Sequence, residues 1–240
     1  MEYNFYMERA KLLGFEIDKY DFKTAIEVAK SKCGQVVTIN PEMIDMATKN
    51  PDFANIIKQA ELVVPDGIGV QLGLKFLGNN VRRIAGIEFA RQMLEEVRSV
   101  ALVGAKPEIL DKAIQNLKKE IPSLNIVYSQ DGYYSDEEVI INQICEKQPE
   151  LLLVAMGSPK QEEFIYKLKT KLPQTLMIGV GGSFDVWSGE VERAPKIFQK
   201  MGLEWLYRTL NDPKRIKRIF PTLPLFVLKV LKYGENNVNQ

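Results

Sequence analysis

Six short apolar runs recur along the chain: QVVTIN (35–40), ELVVPD (61–66), VALVGA (100–105), NIVYSQ (125–130), LLLVAMG (151–157) and TLMIGVGG (175–182). Each is followed by a segment with helical periodicity. A strand with one wet face alternates apolar and polar residues, whereas these runs are nearly continuous, which requires burial on both faces. The pattern therefore predicts an α/β fold, a doubly wound and mainly parallel sheet with helices packed on either side. The alternation gives way near residue 195 to helix-like, basic and apolar sequence. The expected organisation is an α/β core over 1–195 and a helical appendage over 196–240.

With 32 basic and 31 acidic residues, the overall charge carries no nucleic-acid signature, so attraction to anions must come from local groups. The two cysteines, Cys33 and Cys145, fall in segments that read as helices, which fits free thiols in a reducing compartment. The start, MEYNFYMERAKLLGF, has neither the basic opening nor the apolar core of a signal peptide, and no run of 18 apolar residues occurs. A cytoplasmic location is expected. The sequence contains no histidine, so Ser/His and Cys/His nucleophilic devices are excluded and proton transfer falls to carboxylates, lysine or tyrosine. No two aspartates lie two residues apart, as a divalent-cation DxD pair would require. Neither a metal nor a cofactor is expected.

Several run ends carry helix-start chemistry. Asn40 can cap a helix opened by Pro41, and Ser158, Pro159 and Gln161 spell an S-x-x-Q capping box. Similar turns occur at Asp66, at GAKP (104–107) and at GVGGSFD (179–185). In an open α/β sheet such turns line the carboxyl edge, where helix N-termini and glycines receive anionic ligands. Each residue also has a plain structural reading. Asp66 serves as an N-cap, Gln161 as the partner in the box, Gly181 and Gly182 as a tight turn, Thr38 as a strand residue, and Arg82 and Arg83 as surface charge.

Taken together, TINPEM, VPDGIGV, RRIAGIEF, LVGAKP, MGSPKQEEFI and GVGGSFDVWSGEVERAPKIFQKMGLEWLYR form an ordered series from about residue 38 to 208 that resembles the WecG/TagA/CpsF glycosyltransferases. The resemblance is nearest to the TagA-type enzymes of wall teichoic acid synthesis. It implies transfer of N-acetylmannosamine from a UDP donor to N-acetylglucosamine carried on diphospho-undecaprenol, with inversion and without metal. It also allows self-association into a homo-oligomer.

An inverting transfer needs a base for the acceptor hydroxyl, and without histidine that base is a carboxylate, with Asp66 the best placed. The spacing behind it, Gly67, Gly69 and Gly73, is GxGxxxG, one residue off the dinucleotide fingerprint, and suits close approach of ligand or backbone to the acid. The departing UDP needs fixed cations or N–H dipoles. Arg83, placed by resemblance with Arg82 leaving the register open by one, and Lys106 supply the first; Gly104, Gly181 and Gly182 supply the second. Asp185 can accept from uracil N3–H. Thr38, Asn40 and Gln161 are assigned to sugar hydroxyls and the N-acetyl group by resemblance.

In the tail, Lys214, Arg215, Lys217 and Arg218 precede an apolar stretch from Ile219 to Leu231, too short to span a bilayer. It reads as an anchor for an anionic membrane surface on the inner face of the cell membrane, with Arg215 and Arg218 clamping a diphosphate. Two other readings stay open. One is an NAD(P)-dependent oxidoreductase using 61–73 as its cofactor loop, with Glu88 on the ribose. The other is a non-catalytic binding module for UDP-sugars or lipid-linked glycans.

Overall fold

The computed structural model describes the backbone of residues 8–211 and 213–238, and their side chains apart from 200, 208 and 211–221. The chain opens with β1 (Arg9–Leu12), β2 (Phe15–Asp18), α1 (Phe22–Lys32), β3 (Gly34–Ile39), α2 (Pro41–Lys49), α3 (Pro51–Lys58) and β4 (Leu62–Pro65). It continues through α4 (Ile68–Phe76), α5 (Gly86–Glu96), β5 (Val100–Gly104), α6 (Pro107–Glu120), β6 (Ile126–Gln130), α7 (Glu137–Lys147) and β7 (Leu151–Ala155). It closes with α8 (Lys160–Lys169), β8 (Leu176–Gly179), α9 (Ser183–Trp187), α10 (Lys196–Lys200), α11 (Glu204–Asn211) and α12 (Pro213–Tyr233).

All six runs are strands. They form one parallel sheet in the order β4-β3-β8-β7-β5-β6, flanked by helices in the doubly wound, Rossmann-like manner. Every residue of β4, β5, β7 and β8 is buried, which is why these runs do not alternate. Each fully buried Leu or Val of β5 and β7 contributes about 2 kcal/mol of hydrophobic stabilisation.

The chain divides into two compact units. One comprises Met1–Val28, Thr38–Ala85 and Arg193–Gln240; the other comprises Ala29–Val37 and Gly86–Glu192. In the first, β1 and β2 make an antiparallel hairpin that the strand pattern did not anticipate. Its turn is Leu13–Gly14, both left-handed, at φ 52° and 83°, so the sequence lacks the usual Asn-Gly signal. The hairpin tip is held from the far end of the chain: Leu13 N–H donates to the Gly234 carbonyl at 2.9 Å and Gly14 N–H to that of Glu235 at 3.0 Å. Buried Asp18 accepts from Arg9 Nε at 2.9 Å and from Val63 N–H at 2.8 Å, which ties β2 to β4.

Helix starts follow the sequence where asparagine precedes proline. Asn40 Oδ1 accepts from Met43 N–H at 3.0 Å and Asn50 Oδ1 from Phe53 N–H at 3.1 Å, with Pro41 and Pro51 in the first helical turn. Both cysteines are free. Cys145 lies in α7 as expected, but Cys33 does not extend α1: it stands in the turn to β3 at φ 53°, because the strand starts at Gly34.

Candidate active site

In the first unit the end of β4 delivers Asp66. Its N–H donates to the Ile39 carbonyl at 2.8 Å, which brings the acid beside the Thr38–Asn40 end of β3. Asp66 does not cap α4 as a helix-start reading would have it. The capping position is Gly67, at φ 78°, and Asp66 Oδ1 takes the Gly67 N–H at 2.7 Å, one residue on. A Cβ on Gly67 would find nothing nearer than Pro41 Cδ at 3.8 Å, so glycine is required there by the dihedral angle alone. Gly69 and Gly73 differ. A Cβ would lie 2.7 Å from Pro41 Cγ at the first and 3.3 Å from Leu12 Cδ1 at the second, with Phe226 against both. Of the two occupants expected beside these glycines, ligand or the chain itself, the chain takes the space at Gly69 and Gly73, through Pro41 of α2, Leu12 of β1 and Phe226 of α12.

Arg83 joins the same region. Ile84 N–H donates to the Pro65 carbonyl at 2.7 Å, Arg83 N–H to Gln71 Oε1 at 2.8 Å, and the Arg83 guanidinium to the Gln199 carbonyl in α10. Arg82 is exposed and Arg83 half-buried, so the second arginine is the one built into the structure. Asn40 spends Oδ1 on its cap, and Thr38 is half-buried near the end of β3. These contacts collect Thr38, Asn40, Asp66, Gly67 and Arg83. The side chains of Arg215 and Arg218 lie outside the described residues.

In the second unit the ends of β5, β7 and β8 are laced together. Gly104 sits at φ 114° with its Cα face against β7, where a Cβ would meet the Ala155 carbonyl oxygen at 2.4 Å. Ala105 N–H donates to that carbonyl at 2.9 Å, and the Ala105 carbonyl accepts from Gly132 N–H at 2.8 Å. Lys106 is exposed at the cap of α6, with Pro107 opening the helix. After β8, Gly182 is exposed and half-buried Asp185 lies in the first turn of α9.

The S-x-x-Q capping box does not form. The helix starts at Lys160, and Gln161 N–H goes to the Gly157 carbonyl at 3.1 Å. The side chains go elsewhere: Gln161 Oε1 accepts from Gly157 N–H at 3.1 Å and Gly181 N–H at 3.0 Å, a bridge between the turns after β7 and β8. Its amide lies on Gly179, where a Cβ would come within 2.5 Å of Nε2. The Gly181 amide is thus taken up by Gln161, and what Gly181 leaves toward a ligand is open space: a Cβ there would meet nothing within 4 Å.

Beside this bridge stands a residue that sequence reasoning passed over. Glu162 is only 3% exposed, and its Oε1 accepts from Gln161 Nε2 at 2.8 Å and Ser158 Oγ at 3.0 Å. Burial pushes its carboxyl up to about 7, against the opposing hydrogen bonds of Gln161 and Ser158, with Glu163 adding to the rise. The signal was present in QEEFIYKL: Phe164, Ile165 and Leu168 face the core, and 161 and 162 precede them by three or four residues on that face.

Residues 10–239 match the family described as Glycosyl transferase WecG/TagA/CpsF. A relative from Bacillus spizizenii (strain W23), an N-acetylglucosaminyldiphosphoundecaprenol N-acetyl-beta-D-mannosaminyltransferase, is 36% identical over 209 residues, covering 85% of this chain and 81% of the relative. A protein of the same name from Bacillus subtilis (strain 168) is 35% identical over 211 residues, covering 85% and 82%. With the match spanning the Asp66 turn, the Gln161 bridge and the final helix alike, the chain belongs to the WecG/TagA/CpsF family of glycosyl transferases.

Proposed function

We propose that this chain moves N-acetylmannosamine from UDP-N-acetylmannosamine to N-acetylglucosaminyldiphosphoundecaprenol, with inversion. The shared name of two relatives that align over 85% of the chain carries the reading. In the reaction the acceptor hydroxyl oxygen attacks the anomeric carbon, its proton passes to Asp66, and the bond to the donor diphosphate breaks to release UDP. Arg83 meets the negative charge that develops on the diphosphate, and Lys106 adds a second cation. Thr38 and Asn40 contact the sugar, and Gln161 holds the turns after β7 and β8 beside it; Gly67, Gly181 and Gly182 leave room for the sugar and the phosphates, and Gly104 lies at the same edge; Asp185 accepts from uracil.

The oxidoreductase reading has less to support it. Glu88 lies in the first turn of α5, and no strand stands between β4 and that helix to carry a ribose-binding acid at its end. Substitution of Asp66 by Asn is expected to keep UDP-sugar binding while transfer falls by about 10²-fold. Full transfer by that variant, or stabilisation of the wild type by NAD in preference to UDP, would overturn the assignment.

The lipid acceptor calls for a membrane surface, and α12 offers one. Phe226 and Val230 are buried, while Leu225, Val227, Leu228 and Leu231 remain 46–61% exposed on the same helix. No helix among the described residues is long and apolar enough to cross a bilayer. The exposed leucines, with the basic residues Lys214, Arg215, Lys217 and Arg218 of the same segment, support a seat on the inner face of the cell membrane. Changing Leu225, Leu228 and Leu231 together to serine should abolish sedimentation with anionic vesicles. A variant that still sediments, but no longer self-associates, assigns the face to a second copy of the chain.

A further inference from the structure

We propose that Glu162 is a positioning residue: its Oε1 holds the Gln161 carboxamide in the bridge between Gly157 and Gly181, and so fixes the two turns that receive the donor nucleotide. The proposal rests on the reading of the protein as a UDP-sugar enzyme.

The carboxamide of Gln161 is 5% exposed and nearly fully committed. Its oxygen takes two backbone N–H groups and its nitrogen gives one proton to Glu162. An unpaired buried amide costs about 1–3 kcal/mol, as much as the two bonds on the oxygen side contribute, so loss of the Glu162 acceptor favours withdrawal of the side chain from Gly179. The bridge then opens, and the two turns lose their common anchor. Gln35 Nε2 donates to the Glu162 carbonyl at 3.3 Å, which secures the backbone of α8 from β3 independently of the carboxyl.

The second carboxyl oxygen points to function rather than stability. Glu162 Oε2 is buried and has no hydrogen-bond partner among the described residues. Such an atom costs free energy, and an apolar side chain of the same shape would avoid that cost. The carboxyl stands where only one of its oxygens is used, and that oxygen serves Gln161 and Ser158. Burial raises the group to about 7, and Oε1 can accept both bonds in either protonation state.

Two variants test this: Glu162→Met, which keeps the volume and loses the acceptor, and Glu162→Gln, which keeps an acceptor oxygen. For Glu162→Met, the expected results are an unchanged or raised thermal midpoint, UDP binding about tenfold weaker and donor KM raised about tenfold, with kcat within about twofold. Glu162→Gln should stay within about twofold of wild type in both. Wild-type affinity in Glu162→Met, equal loss in both variants, or a Glu162→Met protein that fails to fold would each overturn the proposal. Amide hydrogen exchange at Gly157 and Gly181 reads the bridge without any donor, and faster exchange in Glu162→Met is expected. If the wild type fails to bind UDP, the proposed function falls, and the exchange result still decides the role of Glu162.

Discussion

Three strand-end turns of this protein, after β4, β7 and β8, carry glycines and polar side chains, and the first is held differently from the other two. The turn at Asp66 is held by packing: Gly69 and Gly73 let Pro41, Leu12 and Phe226 lie against α4, and the acid accepts the N–H of its neighbour Gly67. The turns around Gln161 are held by hydrogen bonds from one side chain to two loops, over a glycine that leaves room for it. A packed turn takes its shape from apolar contacts behind it, whereas a laced turn takes its shape from one buried side chain. The first should tolerate loss of a single polar group better than the second.

The largest effect should come from the most crowded glycine of the laced unit. Gly104→Ala would put a Cβ 2.4 Å from the Ala155 carbonyl oxygen at φ 114°, and the obstacle is backbone within a paired strand. A loss of about 4 kcal/mol in urea unfolding is expected, since neither the dihedral nor the contact can relax locally. Gly67→Ala, by contrast, meets only the dihedral penalty of about 1–2 kcal/mol. Equal losses at the two sites would break the comparison.

Next is the pH dependence that Glu162 gives the laced unit. Its folded carboxyl titrates at about 7 and its ordinary value is 4.5. Between those values the unfolded chain ionises first, so the folded state holds the extra proton and stability falls as pH rises. The contribution is whole below about 4.5 and lost above about 7, on the order of 3 kcal/mol across the window. The difference between wild type and Glu162→Gln, measured by urea unfolding at several pH values, isolates it. A difference that does not change with pH would mean the buried carboxyl titrates elsewhere.

Gly179→Ala probes the bridge from its other side. The new Cβ would fall 2.5 Å from Gln161 Nε2 and 2.8 Å from its Cδ, and the flexible side chain can yield only by giving up its bonds to Gly157, Gly181 and Glu162. The expected loss is about 2 kcal/mol, with faster amide exchange at Gly181. Unchanged exchange would show that Gln161 adapts without releasing the turns.

Much of this was legible from the chain. The six strands were, because burial on both faces forces continuous apolar runs that periodicity cannot hide. Asn40 was, because its cap is a local bond within four residues. The hairpin was not, since Leu13 occupies a left-handed position normally signalled by Asn or Gly and is held there by carbonyls more than 200 residues away in sequence. Gln161 was recognised as a site residue but given the wrong local bonds: the capping box is a rule about four consecutive residues, and the competing acceptor-poor partner, Gly181 N–H, comes from a different strand end. Arg83 was separated from Arg82 only by burial, which two adjacent arginines do not encode.

The smallest effect tests how the packed turn is supported from behind. Phe226 reaches Gly69 and Gly73, and one turn along α12 Lys229 Nζ donates to Asp45 Oδ1 at 2.8 Å and to Thr48 Oγ1 at 3.0 Å on α2. Burial raises the Asp45 carboxyl, but the hydrogen bonds of Lys229 and Lys49 outweigh it and hold the group below its ordinary range. The ion pair is partly buried, with side chains 20% and 15% exposed, and Lys49 stays at 2.5 Å to neutralise Asp45 if Lys229 is lost. Lys229→Met should therefore cost only about 1 kcal/mol at neutral pH, since no buried charge is left without a partner. An acid whose folded value is depressed contributes stability that is present above its unfolded value and lost as pH falls through the folded one, so the gap between wild type and variant should close in acid. Transfer should change less than twofold, because Phe226, not Lys229, touches the helix behind Asp66. A gap that persists in acid would assign the effect to lost packing of the lysine stem, and a gap above about 3 kcal/mol would mean that the packed turn depends on a single bond as the laced turns do.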